Sequence, residues 1–289
     1  MFCRVFLAFD IVSPPLPLSF NPIPLPMTTT IIIPARYPST RYPGKPLVKL
    51  LGREAVLRTY DAARRVRRVD AIYIATDSAQ IRDVAESSGA SVIMTSPTCR
   101  NGTERVAEAA RILRCKKNDI LVNFQGDAPL TPPWFVEAIL KKLQTVKTAA
   151  MVTPVLRCDE EAYERLRHDR KHGRVGAVTA VFGPEGRAIY FSKEPIPYMP
   201  NLESLRHTPV FHHVGVYGYR MEALQAYAQA KMGPLEKAEQ LEQLRFIETH
   251  RPVYVVEVKD RGVQFWELNN PADVKVIEKM MKANAQRLG

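Results

Sequence analysis

Short apolar runs alternate with stretches of helical spacing along the first half of this chain. Runs of four to six apolar, mostly β-branched residues predict buried strands. Apolar residues at three- and four-residue intervals predict the helices between them. The predicted strands are 30–33, 71–75, 91–94 and 120–124, and the predicted helices are 54–66, a helix through 81–85 ended by Gly89, 103–113 capped by Thr103, and 134–143. Such repeated β-α units predict an α/β fold with a mixed, mostly parallel sheet covered on both faces.

The pattern changes after Thr153. Two strands are predicted around the turn-like Pro184-Glu185-Gly186, and an irregular stretch follows. We therefore expect an insertion or arm at about 155–210 within a single domain of residues 28–289. Regular structure then returns, with predicted strands at 212–219 and 253–258, and predicted helices at 221–230, 235–248 and 271–286.

The first 26 residues differ from the rest. They hold six prolines and only two charged residues, Arg4 and Asp10. The apolar stretch 5–12 is too short to span a bilayer and lacks a signal-peptide cleavage site. Met27 directly precedes the first predicted strand. Our hypothesis is that Met27 is the natural start and that residues 1–26 are a non-native or disordered extension.

Composition and net charge limit which partners and which cellular compartment are expected for this protein. The chain of 289 residues is 46% hydrophobic and carries a formal net charge of +11. That charge suits nucleic acid, an anionic membrane surface or small polyanionic substrates. The cations are dispersed, and neither zinc-finger spacing nor an RNA-binding aromatic motif occurs, so nucleic acid is not the expected partner. Four scattered cysteines without a C-x-x-C pair fit a reducing cytoplasm, and no segment is apolar enough to insert into a membrane.

The loop 34–46 after the first predicted strand concentrates positive charge. It is neither a G-x-G-x-x-G nor a G-x-x-x-x-G-K-[ST] motif, so its phosphate donors are side chains rather than a glycine cradle. These candidates are the cations Arg36, Arg41 and Lys45 and the hydroxyls of Ser39 and Thr40. A basic loop at the carboxyl end of a buried strand is where an open α/β sheet holds phosphates. A solvated basic loop is the alternative.

Two further candidates follow other predicted strands. Asp127, in Gln125-Gly126-Asp127, comes just after strand 120–124 and is a natural Mg²⁺ ligand facing the basic loop. A turn stabilised by the aspartate is the equal alternative. The sequence Asn101-Gly102-Thr103-Glu104-Arg105 enters a helix whose amides, with Arg105, suit an anion, although a simple helix cap explains it as well. Thr76, at the end of its own strand, is a weaker candidate.

Two segments near the C-terminus bear polar residues with regular spacing. If 212–219 is one strand, His213, Gly215, Tyr217 and Tyr219 share a face that suits a hydroxylated substrate. A half-buried structural strand is the alternative. In 234–245, Glu236, Glu239 and Gln243 share a helical face, which by itself indicates a solvated, salt-bridged helix.

Taken together, six motifs resemble one family. They occur in this order: Ile33-Pro34-Ala35-Arg36-Tyr37 with Ser39-Thr40-Arg41 and Pro43-Gly44-Lys45-Pro46-Leu47; Gly102-Thr103-Glu104-Arg105; Gln125-Gly126-Asp127; Tyr190-Phe191-Ser192; His213 with Gly215-Val216-Tyr217 and Tyr219-Arg220; and Leu241-Glu242-Gln243-Leu244-Arg245. Across about residues 28–285 they resemble 3-deoxy-manno-octulosonate (Kdo) cytidylyltransferase, the CMP-Kdo synthetase of lipopolysaccharide assembly.

This resemblance implies a Rossmann-like nucleotide-diphospho-sugar transferase fold, a homodimer, and the reaction of CTP with Kdo to give CMP-Kdo and pyrophosphate. It implies catalytic roles for Arg36, Arg41, Lys45 and Asp127. The implied CTP contacts are Ala35, Arg36, Ser39, Thr40, Arg41, Lys45, Thr76, Arg105 and Gln125. The implied sugar contacts are His213, Tyr217, Glu242 and Gln243. Mg²⁺ is the implied cofactor, with Asp127 as its ligand.

The sequence departs from the family at the second metal position. The family's Val-Asp-Thr-Pro-Glu-Asp segment matches Leu268-Asn269-Asn270-Pro271-Ala272-Asp273, so Asn269 replaces an aspartate. Our hypothesis is that Glu267, on the same face if this stretch is a strand, supplies the missing carboxylate. Ala128, Thr179 and Lys193 also differ from the family pattern. The alternatives are a related 2-keto acid sugar, such as 8-amino-Kdo or a sialic-acid-like sugar, and a non-catalytic nucleotide- or nucleic-acid-binding protein.

Overall fold

The computed structural model describes residues 27–38, 42–173, 177–199 and 208–288. The proposed extension 1–26 lies outside the described residues. The strands are β1 Thr29–Ala35, β2 Lys49–Leu50, β3 Arg53–Glu54, β4 Ala71–Thr76, β5 Ser91–Met94, β6 Ile120–Phe124, β7 Met151–Arg157, β8 Thr179–Phe182, β9 Ala188–Ser192, β10 Phe211–His213, β11 Val216–Arg220 and β12 Val253–Glu257. The α-helices are α1 Ala55–Ala63, α2 Ala79–Ser87, α3 Gly102–Ile112, α4 Pro133–Thr145, α5 Glu160–Lys171, α6 Met221–Gln229, α7 Pro234–Glu239, α8 Leu244–Glu248 and α9 Asp273–Leu288, and a 3₁₀ helix spans Lys45–Leu47.

The first half of the chain forms the predicted parallel sheet. Strands β5, β4, β1 and β6 lie side by side, all parallel. Ile31 and Ile33 of β1 pack into the core that includes α1 and α4, whereas Ile32 packs into the core that includes α3. The alternation along one strand thus confirms that helices cover both faces of the sheet.

The second half adds antiparallel strands to the same sheet. β11 pairs with β6, and β10 and β11 both pair with β7. β8 pairs with β10 and continues into the β8–β9 hairpin, and a bridge joins Arg187 at that hairpin to Tyr254 of β12. The described strands of segment 155–210 therefore extend the main sheet, and the arm proposed there stays a prediction. Among the described residues, no helix has both the length and the apolar character needed to cross a bilayer.

Residues 212–219 do not form the single strand predicted from their pattern. His213 pairs with Val155 of β7, and Gly218 pairs with Val152 of β7. The segment from His213 to Gly218 is therefore two residues longer than the segment of β7 that it pairs with. The ladder is interrupted at Val214-Gly215, which separates β10 from β11. Because the insertion has an even number of residues, side chains before and after it keep the same face.

The continuous helix predicted over 235–248 is also wrong. Gln240 has a left-handed backbone, with φ of 53°, and ends α7. α8 begins only at Leu244. Residues 240–243 form a turn instead, so Gln243 projects from a loop and not from the helical face that its spacing with Glu236 and Glu239 indicated.

Candidate active site

The candidate residues gather at the carboxyl edge of the parallel strands, as the β-α pattern predicts. Ala35 ends β1 and is buried, Arg36 follows it and is exposed, and Thr76 is the fully buried last residue of β4. Gln125 and Asp127 follow β6. Three residues of the basic loop, Ser39, Thr40 and Arg41, lie outside the described residues, so their assigned roles stay predictions.

Lys45 and Asp127 form the central charged pair. The Lys45 ammonium donates a hydrogen bond of 2.5 Å to Oδ2 of Asp127, and the two side chains are 15% and 23% exposed. Gly44, with φ of 70°, adopts the left-handed conformation that lets the loop turn before Lys45, and its amide donates to the carbonyl of Tyr37. The basic loop and the Gln125-Gly126-Asp127 motif are thus brought into direct contact.

Asp127 is also tied to the segment that holds the other proposed metal ligands. Its carbonyl accepts a hydrogen bond of 2.8 Å from the amide of Leu268. Glu267 therefore precedes, and Asn269 follows, a residue bonded to Asp127. A Cβ atom placed on Gly215 would lie 3.2 Å from Oε1 of Glu267 and 3.9 Å from Cγ of Gln125, so these two side chains flank that glycine.

The segment 267–269 is not a strand, contrary to the condition under which Glu267 and Asn269 would share a face. Its conformation is fixed instead by Asp273 at the start of α9. Oδ2 of Asp273 accepts from the amides of Asn269 and Asn270, and Oδ1 accepts from the Trp266 indole. The described residues contain no cluster of three or more His, Cys, Asp or Glu side chains suited to a metal ion.

The donors present nevertheless fit Mg²⁺. Asp127 and Glu267 offer carboxylate oxygens, and Asn269 offers an amide oxygen, all from two segments joined by the Leu268–Asp127 hydrogen bond. Mg²⁺ prefers oxygen ligands and commonly takes only one or two carboxylates from the protein, completing its shell with water and substrate phosphates. A sparse set of oxygen ligands beside a lysine therefore suits a metal that is delivered with a nucleotide.

Arg105, which the resemblance assigns to CTP, is not a free surface cation. Its guanidinium donates to Oδ2 of Asp77 at 3.0 Å and to the Thr95 hydroxyl at 2.5 Å, and its side chain is 3% exposed. The predicted cap of its helix is corrected: α3 begins at Gly102, and Asn101, not Thr103, accepts from the Glu104 amide. Asn101 fits the cap because its extended backbone aims a short side-chain oxygen at that amide.

Glu242 lies at the N-terminus of α3. Its carboxylate accepts from the Thr103 amide at 2.9 Å and from the Gln125 side-chain amide at 3.2 Å. Burial raises the pKa of Glu242, while these two hydrogen bonds oppose the rise. Gln125 therefore connects the segment that carries Asp127 to the turn at 240–243.

A row of aromatic rings forms the proposed sugar side. The rings of His213 and Tyr217 lie 5.5 Å apart, and those of Tyr217 and Tyr219 lie 6.0 Å apart, so the face predicted from the sequence is kept across the interruption. The Tyr217 hydroxyl donates to Oε1 of Gln243 at 3.4 Å. The structure thus links His213, Tyr217 and Gln243 through successive contacts, and Glu242, next to Gln243 in the chain, bonds to Gln125.

His213 is held neutral. Nε2 lies 2.9 Å from the Thr153 hydroxyl, which also lies 2.9 Å from the Val216 carbonyl. A hydroxyl has one hydrogen, which the carbonyl accepts, so Nε2 of His213 carries the proton and donates to Thr153. Burial, reinforced by the neighbouring His212, lowers the pKa of His213 to about 3.

This burial predicts an acid-sensitive fold. An unfolded His213 takes up a proton below its ordinary pKa of 6.5, whereas the folded one does so only near 3, so stability falls as pH falls through that window. We expect His213 to contribute about 2 kcal/mol of stability loss between pH 8 and pH 5. Denaturant unfolding at both pH values should show that His213→Gln removes this part of the loss. The exposed His250→Gln is the control, and an equal effect in both variants would contradict the prediction.

Several ion pairs of the site were not predicted from the sequence. Glu236 is 3% exposed and binds the fully buried Arg245 through two hydrogen bonds, so its salt bridge is buried and not on the solvated helical face expected there. Asp77 holds Arg105, and Glu104 holds Arg245. Glu104 and Arg245 do lie within two of the recognised motifs, which is the one signal that could have pointed to them.

The chain is similar in sequence to known proteins. A family model described as cytidylyltransferase matches residues 30–256. A 3-deoxy-manno-octulosonate cytidylyltransferase of Maricaulis maris is 37% identical over 260 residues, covering 90% of this chain and 99% of that protein. The protein of the same name from Chlamydia pneumoniae is 41% identical over 249 residues, covering 86% of this chain and 91% of that protein.

The fold is similar to solved structures as well. A CMP:2-keto-3-deoxy-manno-octonic acid synthetase complexed with CTP matches with a TM-score of 0.78 and 30% identity, covering 89% of this chain and 99% of that one. A cytidylyltransferase from Leptospira borgpetersenii matches with a TM-score of 0.56 at 14% identity, which supports the shared fold alone. These matches confirm the predicted α/β nucleotide-sugar transferase fold.

Proposed function

The chain belongs to the family of 3-deoxy-manno-octulosonate cytidylyltransferases, and on this premise we propose that it transfers CMP from CTP to the anomeric hydroxyl of Kdo. The products are CMP-Kdo, for lipopolysaccharide assembly, and pyrophosphate. The observation that carries the proposal is the segment Gln125-Gly126-Asp127, which bonds to Lys45 at one end and to Glu242 at the other. One short loop thereby links a phosphate-binding half to a sugar-binding half.

The phosphate half supplies charge. The reaction is an in-line displacement at the α-phosphorus, in which the sugar hydroxyl attacks and pyrophosphate leaves, so positioning and charge neutralisation dominate catalysis. Lys45 lies in the loop that follows the carboxyl end of β1, where it would neutralise the negative charge that develops on the leaving pyrophosphate. The exposed Arg36, and Arg41 from the resemblance, would share this role.

Asp127, with Glu267 and Asn269, would hold Mg²⁺. When bound there, the metal would polarise the α-phosphate and lower the pKa of the attacking hydroxyl. The Lys45 ammonium lies 2.5 Å from the Asp127 carboxylate, so each of these groups balances the charge of the other. We propose that Glu267 compensates for the neutral Asn269, since it flanks Gly215 as Gln125 does and precedes the residue bonded to Asp127.

The sugar half would orient the acceptor. His213, kept neutral by burial and bonded to Thr153, and the Tyr217 hydroxyl present polar groups on an aromatic face, which suits a polyhydroxylated ring. Glu242 and Gln243 reach the same side from the turn at 240–243. Their fixed hydrogen bonds to Thr103, Gln125 and Tyr217 would let them meet the sugar without reorganisation.

A related 2-keto acid sugar is the second candidate substrate. Thr179 stands where the family pattern has lysine, and it is 1% exposed, with its hydroxyl donating to the Glu194 carbonyl at 2.6 Å. The buried Thr179 therefore does not supply the positive charge that a lysine would supply at this position, next to the proposed sugar side. A sugar with its own cation, such as 8-amino-Kdo, would suit that change better than Kdo.

We also propose that the enzyme acts as a homodimer in the cytoplasm. Two large apolar side chains of the segment 155–210, Ile189 and Tyr198, are 60% and 87% exposed, which supports a partner surface there.

The described cysteines Cys99, Cys115 and Cys158 are free thiols, which supports the proposed reducing compartment. Size-exclusion chromatography with light scattering would test the dimer.

An assay of substrate choice tests the proposed function. The purified protein is supplied with CTP, Mg²⁺ and, separately, Kdo, 8-amino-Kdo and N-acetylneuraminate, and pyrophosphate release is measured. We expect release with Kdo, with CMP-Kdo identified by mass. Release with 8-amino-Kdo alone would establish the second candidate. No pyrophosphate release with any of the three sugars, together with salt-sensitive RNA binding, would favour the non-catalytic alternative.

A further inference from the structure

Three consecutive residues in the first turn of α3 bond to three different parts of the site. Thr103 contacts the sugar side, because its amide donates to Glu242 and its hydroxyl lies 2.8 Å from that of Tyr219. Arg105 contacts the nucleotide side through Asp77 and Thr95. Glu104, between them, accepts from the Arg245 guanidinium at 3.0 Å. One helical turn therefore joins both halves of the site.

Arg245 is the anchor of this arrangement. It is fully buried, it donates two hydrogen bonds of 2.6 and 2.7 Å to the Glu236 carboxylate, and its guanidinium lies 4.1 Å from the centre of the Tyr227 ring. The Tyr227 hydroxyl in turn accepts from the side chain of Asn101, the cap of α3. A planar guanidinium with this many fixed partners holds a defined orientation and resists rotation.

Position along the chain links Arg245 to the sugar contacts. Glu242 and Gln243 precede it by three and two residues, in the turn between the left-handed Gln240 and α8. Because Arg245 is fixed to Glu104, that turn is pinned against the same helical turn that presents Arg105. A shift of the nucleotide contacts would therefore move the sugar contacts with it.

We propose that Glu104 and Arg245 are positioning residues that couple CTP binding to binding of the sugar acid. Neither residue touches substrate in this proposal: the pair acts through Glu242 and Gln243 on one side and through Arg105 on the other. The coupling rests on the proposed function, since it requires both substrates. It predicts that saturating CTP lowers the KM for the sugar acid in the wild-type enzyme.

The charges allow the coupling to be tested without loss of the fold. The groups alternate in sign as Arg100, Glu104, Arg245 and Glu236. Glu104→Gln leaves Arg245 paired with Glu236, so no buried charge is left unpaired. Arg100 is 55% exposed and shares the Glu104 carboxylate with Arg245, so Arg100→Gln is a matched control that keeps the contact between Glu104 and Arg245.

The experiment measures the KM for the sugar acid at low and at saturating CTP, together with the Kd for CTP alone and the thermal unfolding midpoint. For Glu104→Gln we expect the sugar KM at saturating CTP to rise about 5- to 10-fold, because the CTP-dependent gain is lost. The Kd for CTP alone and the unfolding midpoint should stay near those of the wild type. Arg100→Gln should behave as the wild type throughout.

Three results would overturn the coupling. One is a sugar KM in the wild type that does not depend on CTP, and another is an unchanged Glu104→Gln variant. The third is an equal weakening of CTP and sugar in that variant, which would assign Glu104 a purely structural role. These three results leave the proposed function intact, because each is measured on an active enzyme. A wild-type enzyme that releases no pyrophosphate with any sugar acid would instead refute the proposed function, and the coupling with it.

Discussion

Replacing Asp127 with asparagine is expected to lower kcat by about 10³-fold, the cost typical of removing one preorganised charge from a polar active site. The amide keeps the size of the carboxylate and can still accept from Lys45, so local packing is preserved. It cannot supply the negative charge that would hold Mg²⁺ against the triphosphate. The Kd for CTP without metal should change little. Initial rates over a range of Mg²⁺ concentrations, with the unfolding midpoint as a check, measure the effect.

The same Mg²⁺ titration tests the compensation proposed for Asn269. Glu267→Gln should raise the Mg²⁺ concentration needed for half-maximal rate by about tenfold, and Asn269→Asp should lower it, since each changes one charge near the metal. Asp83→Asn is the control, because Asp83 is 63% exposed on α2 and pairs with its neighbour Arg82. An unchanged Mg²⁺ dependence in Glu267→Gln would end the role of Glu267 as a metal carboxylate.

The first half of the fold follows from local pattern. Each predicted strand there is both apolar and short, and the structure places β1 at Thr29–Ala35 where 30–33 was predicted. A strand that is buried on both faces reads as a continuous apolar run, which is easy to identify in the sequence. Successive parallel β-α units repeat this pattern. The carboxyl-edge rule then locates Lys45, Gln125 and Asp127 in one region without any three-dimensional information.

The second half departs from local pattern because distant contacts decide it. Helical spacing over 235–248 is real, but Arg245 binds Glu104, 141 residues earlier in the chain, and the helix breaks at Gln240. Arg105 pairs with Asp77 across 28 residues, which no periodicity reveals. Ionic partners that meet only in the folded chain carry no local signature, so sequence motifs marked these regions without giving their connections.

A second large effect is expected at Lys45. Lys45→Met keeps most of the aliphatic stem and removes the ammonium, and we expect kcat to fall about 10²- to 10³-fold. The charge on the leaving pyrophosphate is greater in the transition state than in bound CTP, so the loss should appear mainly in kcat and less in the KM for CTP. Initial rates of pyrophosphate release over a range of CTP concentrations separate the two constants.

The control for Lys45 lies four residues away. Lys49 on β2 is exposed, so Lys49→Met makes the same chemical change outside the site and should leave both constants near wild type. Lys45 also balances Asp127 at 2.5 Å, and its loss leaves that carboxylate without its cation. If Lys45 acted only through Asp127, a Lys45→Met/Asp127→Asn double variant would be no slower than Asp127→Asn alone. A further drop in kcat in the double variant is the result expected when Lys45 also neutralises the leaving group.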